Sequence, residues 1–200
     1  MFTGIVTDVG RVTEVTRQDE VRRITIECGY DPETIGIGAS IACAGVCFTV
    51  VDCYPANGGC RFAVEAGPET LAVSTAAEWQ VDTRLNLERA LRMGDELGGH
   101  LVTGHIDGVA AIAEREDSVA TIRMVFEAPP GLARFIAAKG SVTLDGTSLT
   151  VNRVYGMRFE CLLIPHTLAV TTWAERKPGD NVNLEVDLMA RYAARLAEHG

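Results

Sequence analysis

Two short segments of the chain present pairs of hydrogen-bonding side chains at strand spacing. Cys47 and Thr49 stand two apart after a glycine, and Ser148 and Thr150 repeat that arrangement. Side chains at positions i and i+2 of a β-strand point the same way, so each pair places two polar groups on one face. Such groups can orient a bound ligand, and both segments therefore predict the wall of a pocket. A buried structural thiol is the alternative for Cys47, and the recurrence of the pattern argues against it.

A glycine-rich polar segment, residues 98–108, carries His100 and His105. Histidine exchanges protons near neutral pH, so either ring could act as a general acid or base, and a structural role is equally open. On a strand, residues five apart point to opposite faces, and the pair lacks the i, i+4 spacing of a helical metal site. The sequence contains no phosphate-binding loop, dinucleotide-binding fingerprint or Gly-x-Ser-x-Gly nucleophile turn.

A proline follows a strand-like run in each half of the chain, at Pro68 and at Pro165. Proline has no N–H to donate to a sheet, so we expect a strand to end at each position. The backbone groups released there could bind the edge of a flat heterocycle. A simple proline-capped turn is compatible with that interpretation.

The pairing of these segments extends along the whole chain, which contains one sequence twice. The repeated blocks are Thr3-Gly4 with Thr103-Gly104, Gly45-x-x-x-Thr49-Val50 with Gly146-x-x-x-Thr150-Val151, Pro68-x-Thr70-Leu71-Ala72-Val73 with Pro165-x-Thr167-Leu168-Ala169-Val170, and Asn86-Leu87-Glu88 with Asn183-Leu184-Glu185. An offset of roughly 100 residues is too long for a solenoid repeat and indicates a duplicated domain. We predict domains over residues 1–97 and 98–187, followed by a terminal helix over 188–200.

Equivalent positions of the two copies differ in their polar side chains, while the glycines and threonines stay the same. The differing pairs include Ile5 with His105, Ala44 with Asp145, Cys47 with Ser148, and Glu69 with His166. A retained backbone with changed side chains indicates two related pockets that perform different tasks. Ordinary drift after the duplication is the alternative for any single pair.

The elements that position these residues are predicted to be mainly strands. Each half has about six runs rich in β-branched residues, separated by turn residues, which favours an all-β fold of two tandem antiparallel barrels with short helices. A proline start and a glycine stop predict a helix over residues 129–140. In the terminal helix, one face carries Leu188, Met189, Tyr192, Ala193 and Leu196. That face must pack either on its own barrel or on the same helix of neighbouring chains.

Composition excludes several classes of function. Hydrophobic residues make up 47% of the 200 residues and the formal net charge is -9, which argues against nucleic acid or an anionic membrane as a partner. No apolar run is long enough to span a membrane, and the start of the chain lacks the features of a signal peptide, so we expect a cytoplasmic protein. The six cysteines do not repeat with the domain, so we expect reduced thiols and neither disulfides nor zinc.

Four motifs, in order, resemble the riboflavin synthase family of the α-chain type. They are Met1-Phe2-Thr3-Gly4-Ile5-Val6, residues 98–108, Asp145-Gly146-Thr147-Ser148-Leu149-Thr150-Val151 and Ile164-Pro165-His166-Thr167-Leu168. The resemblance runs from Met1 to about Asp187. It implies two six-stranded Greek-key barrels, a homotrimer joined by the terminal helices, and association with lumazine synthase. It also implies dismutation of two molecules of 6,7-dimethyl-8-ribityllumazine to riboflavin and 5-amino-6-(D-ribitylamino)uracil, with no cofactor or metal.

In this family the site lies between the first barrel of one subunit and the second barrel of its neighbour. By matched position, the resemblance assigns the first pocket to Cys47, Phe48, Thr49, Glu65, Ala66, Gly67, Pro68, Glu69, Thr70, His105, Ile106 and Asp107. It assigns the second pocket to Gly4, Ile5, Val6, Ser148, Leu149, Thr150, Leu162, Leu163, Ile164, Pro165, His166 and Thr167. Lys139 would reach into a neighbour's site. The expected catalytic residues are Cys47, His105, Ser148, Thr150 and Asp187.

One position departs from the family pattern. The family usually has Asn immediately before the glycine of the first turn, and this chain has Ala44. Because alanine cannot form a side-chain hydrogen bond, the geometry of the turn next to Cys47 is an open question. The rival prediction is a lumazine- or flavin-binding protein of the same fold without turnover. A flavin barrel of a reductase is a more distant rival, and it would need a nucleotide-binding domain for which a duplicated barrel leaves no room.

Overall fold

The computed structural model describes residues 1–198, which form two closed six-stranded antiparallel barrels. The strands of the first barrel are β1 (Asp8–Gln18), β2 (Val21–Cys28), β3 (Ser40–Cys43), β4 (Val46–Ala56), β5 (Gly59–Ala66) and β6 (Arg84–Arg89). Their order around the barrel is β1-β2-β5-β4-β3-β6. Strands β3, β4 and β5 form a meander, and β6 returns to lie beside β3, which is the Greek-key connection. The predicted fold class is therefore confirmed.

The second barrel repeats the first, strand for strand. Its strands are β7 (Gly108–Asp117), β8 (Ile122–Glu127), β9 (Ser141–Leu144), β10 (Thr147–Tyr155), β11 (Arg158–Leu163) and β12 (Asn181–Val186). Their order, β10-β11-β8-β7-β12-β9, is the same cyclic arrangement. The predicted tail segment 188–200 ends in His199 and Gly200, which lie outside the described residues.

Each barrel encloses its own apolar core. In the first barrel Ile26 pairs across the sheet with Phe62, and both side chains are fully buried. In the second, Phe126 stacks on Phe159 with ring centroids 5.4 Å apart and meets Trp173 edge-on at 5.8 Å. Each such side chain contributes about 1.5–3 kcal/mol through burial, so either half has a core sufficient for a small domain.

Short helices connect the strands and end the chain. They are α1 (Pro68–Val73), α2 (Pro165–Val170) and α3 (Leu188–Ala197), together with 3-10 turns at Pro32–Thr34, Thr75–Ala77, Ala133–Phe135 and Thr172–Glu175. The predicted helix over residues 129–140 is wrong, because only the 3-10 turn forms there. Lys139, near its end, has a φ of 69°, a left-handed conformation that no α-helix can contain. Among residues 1–198, no helix is both long and apolar enough to cross a membrane.

The apolar face of α3 is not covered by its own barrel. Met189, Tyr192 and Leu196 are 71%, 59% and 75% exposed. Of the two alternatives stated for this face, packing on the same chain therefore does not hold for these three side chains.

The two barrels meet through reciprocal hydrogen bonds. The Asn86 side chain donates to the carbonyl of Asp145 and accepts from the N–H of Thr172. The Asn183 side chain donates to the carbonyl of Ala44 and accepts from the N–H of Thr75. Both asparagines are buried, so each amide is satisfied by the opposite barrel. This exchange fixes the two hairpin turns that precede Cys47 and Ser148 against one another.

Candidate active site

The predicted polar side chains lie on the outer wall of each barrel. Along β4, Phe48 is 3% exposed and points into the core, whereas Cys47 is half-buried and Thr49 is exposed. The same alternation along β10 buries Leu149 and leaves the flanking Ser148 and Thr150 turned outward. The i, i+2 argument thus places each pair on one face, and that face is outside the barrel.

Both hairpin turns have the same backbone, although their first residues differ. Ala44 and Gly45 have φ values of 44° and 82°, and Asp145 and Gly146 have values of 43° and 77°. Positive φ at both central positions defines a type I′ turn, whose twist matches the strands that it joins. The open question about Ala44 is therefore answered, because the turn beside Cys47 keeps its geometry without a polar side chain.

Two extended segments lie between the barrels, and we call them the first strap (residues 2–5) and the second strap (residues 102–105). They pair with each other, since the N–H of Phe2 donates to the carbonyl of Val102 at 2.8 Å and the reverse bond measures 3.1 Å. Residues 98–107 contain this single bridge and no strand, so the strand geometry considered for the spacing of His100 and His105 does not apply. The straps are joined by these two backbone hydrogen bonds and do not form a regular sheet.

Each strap contacts the motif on the opposite barrel. The N–H of Ser148 donates to the carbonyl of Gly4 at 2.7 Å, and the N–H of Cys47 donates to the carbonyl of Gly104 at 2.8 Å. A Cβ at Gly4 would lie 2.6 Å from Ser148 Cβ, and one at Gly104 would lie 2.5 Å from Cys47 Cβ. Glycine is required at both positions, because any side chain would displace the strap from the strand.

A buried glutamate holds each strap. Glu88 Oε1 accepts from the N–H and hydroxyl of Thr3 at 2.6 and 2.7 Å, and Oε2 accepts from the N–H of Gly4 at 2.9 Å. Glu185 makes the same three bonds to Thr103 and Gly104, at 2.7, 2.6 and 2.9 Å. Burial raises the pKa of both carboxyls, and the strap donors oppose that shift.

His100 lies against the motif of the second barrel. Its Nδ1 is 2.7 Å from the Ser148 hydroxyl, and its Nε2 is 3.0 Å from the Thr143 hydroxyl. Thr143 stands opposite Ser148 in the β9–β10 ladder, so the ring spans two neighbouring strands. Burial lowers the pKa of His100, and the nearby charge of Asp187 acts in the opposite direction. A neutral imidazole has one donor and one acceptor, which suits two hydroxyl partners.

Two predicted acidic residues already have partners within the chain. Asp107 accepts from the N–H of Val186 at 2.9 Å and forms an ion pair with Arg191 of α3. Asp187 caps α3, since its Oδ1 accepts from the N–H of Met189 at 2.8 Å. Both carboxylates therefore anchor the terminal helix at the edge of the second barrel.

The other predicted site residues divide by exposure. Five are buried and can reach a ligand only through main-chain atoms or by shape: Gly4, Phe48, Ala66, Leu149 and Leu163. The side chains of the remaining set are half-buried or exposed at the outer wall: Ile5, Val6, Thr49, Glu65, Gly67, Pro68, Glu69, Thr70, His105, Ile106, Lys139, Thr150, Leu162, Ile164, Pro165, His166 and Thr167. Pro68 and Pro165 end the strands as expected and occupy the first turn of α1 and α2.

An open cavity of about 460 Å³ lies behind each strap. The first is lined by Thr3, Ile5 and Glu88, and the second by Thr103, His105 and Glu185, among others. Neither Cys47 nor Ser148 lines these cavities. In the single chain, the predicted pocket residues thus form open surfaces on the barrel walls. Among residues 1–198, no group of three or more His, Cys, Asp or Glu side chains is arranged to hold a metal ion.

Sequence reasoning missed the long-range contacts within each half of the chain. His100 was left with two equal roles, and its partners Thr143 and Ser148 lie more than 40 positions away along the chain. Glu88 and Glu185 were seen only as part of the repeated Asn-Leu-Glu block. That repetition was the available signal, because an acidic residue retained at two equivalent buried strand positions requires a partner.

The fold defines a class of protein with two tandem Greek-key barrels, and each barrel carries the same polar motif on its outer wall. The sequence profile of the lumazine binding domain matches residues 3–90 and again residues 103–187. The chain is 56% identical to riboflavin synthase of Brucella abortus (strain 2308), over 100% of this chain and 99% of that protein. It is 34% identical to riboflavin synthase of Bacillus subtilis (strain 168), over 98% of this chain and 89% of that protein. The chain therefore belongs to the riboflavin synthase family.

The solved structures agree on the fold. LumP in complex with riboflavin superposes with a TM-score of 0.82, covering 93% of this chain and 99% of that chain at 22% identity. At that identity the likeness concerns the barrel architecture alone. The family assignment rests on the sequence matches, which span both barrels.

Proposed function

We propose that the chain catalyses the last step of riboflavin formation, the dismutation of two molecules of 6,7-dimethyl-8-ribityllumazine. One molecule donates a four-carbon unit to the other, which gives riboflavin and 5-amino-6-(D-ribitylamino)uracil. The observation that carries the proposal is the full-length match to riboflavin synthases, 56% identical in one case, on a chain that folds as two equivalent barrels. Two like pockets suit a reaction between two copies of one substrate.

The proposed chemistry starts with loss of a proton from the 7-methyl group of one lumazine. Water or a side-chain nucleophile adds to the second lumazine, and carbon–carbon bond formation follows. We assign Cys47 and His105 to the first pocket, and Ser148, Thr150 and Asp187 to the second. The contact of His100 with the Ser148 hydroxyl supports this assignment, since a neutral imidazole can take up or return a proton through that hydroxyl.

Positioning should supply much of the rate. Two stacked heterocycles held in the correct register react without the entropic cost of a bimolecular encounter, an effect worth up to roughly 7–11 kcal/mol in well-oriented systems. The straps and the rigid hairpin turns support this role, because they fix the two motifs relative to the barrels. The residues at Pro68 and Pro165 would complete each pocket.

We further propose a homotrimer in which a site joins the first pocket of one subunit to the second pocket of its neighbour. The exposed apolar face of α3 supports an interface between copies, and the open outer-wall surfaces would be closed by it. Lys139, exposed on the turn before β9, would enter the neighbour's site. We also propose a cytoplasmic location, which is supported by the six free cysteines. Association with lumazine synthase stays a prediction.

The test is incubation of the purified protein with 6,7-dimethyl-8-ribityllumazine as the only organic substrate. The absorbance spectrum of the mixture should develop the bands of riboflavin, and two molecules of the lumazine should be consumed for each riboflavin formed. The rival function predicts tight binding of the lumazine with an unchanged spectrum over hours. Lumazine that is bound but never converted would reject the enzyme and favour the binding protein.

A further inference from the structure

The straps show a crossed arrangement that the proposed reaction does not by itself require. The first strap is anchored by Glu88 of the first barrel, yet its Gly4 carbonyl receives the N–H of Ser148 in the second barrel. The second strap is anchored by Glu185 of the second barrel, yet its Gly104 carbonyl receives the N–H of Cys47 in the first. Each carboxylate therefore lies in one barrel and acts at the edge of the motif in the other.

We propose that Glu88 is a positioning residue for the Ser148 pocket and that Glu185 is a positioning residue for the Cys47 pocket. The inference rests on the proposed function and adds two residues to its machinery. Neither carboxylate needs to touch substrate. Each holds a strap whose glycine carbonyl orients the opposite motif, and whose next residue, Ile5 or His105, lines the open cavity behind that strap.

The geometry explains why a carboxylate is required. Three donors converge on each glutamate, two on one oxygen and one on the other. An ionised carboxylate accepts at both oxygens, whereas the amide of glutamine offers one acceptor and places its NH2 against an N–H donor. Glu88 is 5% exposed and Glu185 is 3% exposed, so water cannot easily replace the lost acceptor. Glu→Gln at either position should therefore release the strap while the barrel stays folded.

The first experiment measures backbone amide exchange by NMR, which does not depend on the reaction. In Glu88→Gln, the Ser148 amide should exchange at least about 10-fold faster, while the Cys47 amide keeps its wild-type rate. Glu185→Gln should give the reverse pattern. Unchanged protection of Ser148 in Glu88→Gln, or equal loss at both amides in both variants, would overturn the crossed assignment.

The second experiment measures riboflavin formation in combined variants. Glu88→Gln should lower kcat about 10-fold or more, the effect of losing a hydrogen bond to a charged group. On a Ser148→Ala background it should cost little more, and on a Cys47→Ala background it should cost its full factor. The pattern should invert for Glu185→Gln. Equal additivity on both backgrounds would show that the carboxylates act through general stability.

Matched controls remove a carboxylate from the same barrels without touching a strap. Glu27 pairs with Arg61 in the first barrel and Glu160 pairs with Arg123 in the second, both at 2.7 Å. Glu27→Gln and Glu160→Gln should keep wild-type kcat and wild-type exchange at both motifs. If a strap glutamate variant does not fold, Thr3→Val and Thr103→Val remove one donor each and should give the same crossed pattern at smaller amplitude. A wild-type protein that makes no riboflavin would reject the proposed function, and the exchange result would still decide the role of the straps.

Discussion

The two hairpin turns at the barrel interface share a backbone conformation and differ in what holds it. In the second barrel, Asp145 is fully buried, accepts from the N–H of Asn183 at 2.8 Å and pairs with Arg176 at 2.5 Å. In the first barrel the equivalent residue is Ala44, which is buried as part of the apolar core. A type I′ turn can therefore be held by an ion pair or by apolar packing, provided that glycine follows.

The motifs after the turns differ in a similar way. Ser148 stands opposite Thr143 and contacts His100, whereas Cys47 stands opposite Ala42 in the equivalent ladder. The duplicated scaffold is thus symmetric and the hydrogen-bonding groups are not. From this comparison we expect Ser148, which has a histidine partner, to contribute more to proton transfer than Cys47 does.

The largest expected effect comes from making the second turn resemble the first. Asp145→Ala leaves the Arg176 guanidinium without its partner, and Arg176 is 26% exposed, so we expect a loss of about 3 kcal/mol in the free energy of unfolding. Chemical denaturation with urea measures it. Adding Arg176→Met should recover most of the loss, because no unpaired charge remains. A loss below about 1 kcal/mol in the single variant would mean that the ion pair contributes little to the turn.

The next effect concerns turnover. Ser148→Ala should lower kcat about 100-fold, in the range expected for loss of a group that moves protons, and His105→Ala should lower kcat more than it weakens lumazine binding. Cys47→Ala should have a smaller effect than Ser148→Ala, and Ser118→Ala, at an exposed turn hydroxyl, should have none. Steady-state kinetics with the lumazine measures all four. An equal loss for Cys47→Ala and Ser148→Ala would remove the proposed asymmetry between the pockets.

A smaller effect concerns the first turn. Ala44 has a φ of 44°, a conformation that costs an L-residue roughly 1 kcal/mol and costs glycine almost nothing. Ala44→Gly should therefore stabilise the protein by about 0.5–1 kcal/mol, measured by thermal or chemical unfolding. Destabilisation instead would show that the Ala44 methyl group contributes more through packing than it costs in strain.

The smallest effect is a shift in the titration of His100. Burial lowers the pKa of His100 below its ordinary 6.5, so the unfolded chain takes up this proton first as the pH falls. The contribution of His100 to stability is thus complete above that value and is lost as the pH falls below it. Asp187→Asn, which keeps the helix cap, should lower the pKa further because the opposing charge is gone. NMR titration of the ring protons measures it, and an upward shift would contradict the placement of Asp187.

Local patterns predicted most of the fold. Strand runs of β-branched residues, the glycine turns and the duplication indicated two six-stranded barrels, which the structure confirms. The prediction of a helix over residues 129–140 was wrong. A proline start and a glycine stop are also compatible with a 3-10 turn followed by Lys139 in a left-handed conformation. Caps mark where a helix can end, and they do not establish that it forms.

The site was less accessible to sequence reasoning. The i, i+2 rule placed Cys47 with Thr49 correctly, but it could not say whether that face lies inside or outside the barrel. The contacts of Glu88 with Thr3 join residues 85 positions apart, and no local pattern encodes them. Such partners follow from how each half folds back on itself to bring its first residues beside its last strand.

The approach of Gly45 to Gly146 ties the inheritance of the two copies together. A Cβ added to either glycine would lie 2.7 or 2.8 Å from the backbone nitrogen of the other. A substitution at either glycine would therefore clash with the turn of the other, unchanged copy. Both glycines therefore have to be retained, and the two copies keep the same turn while the residues beside it differ.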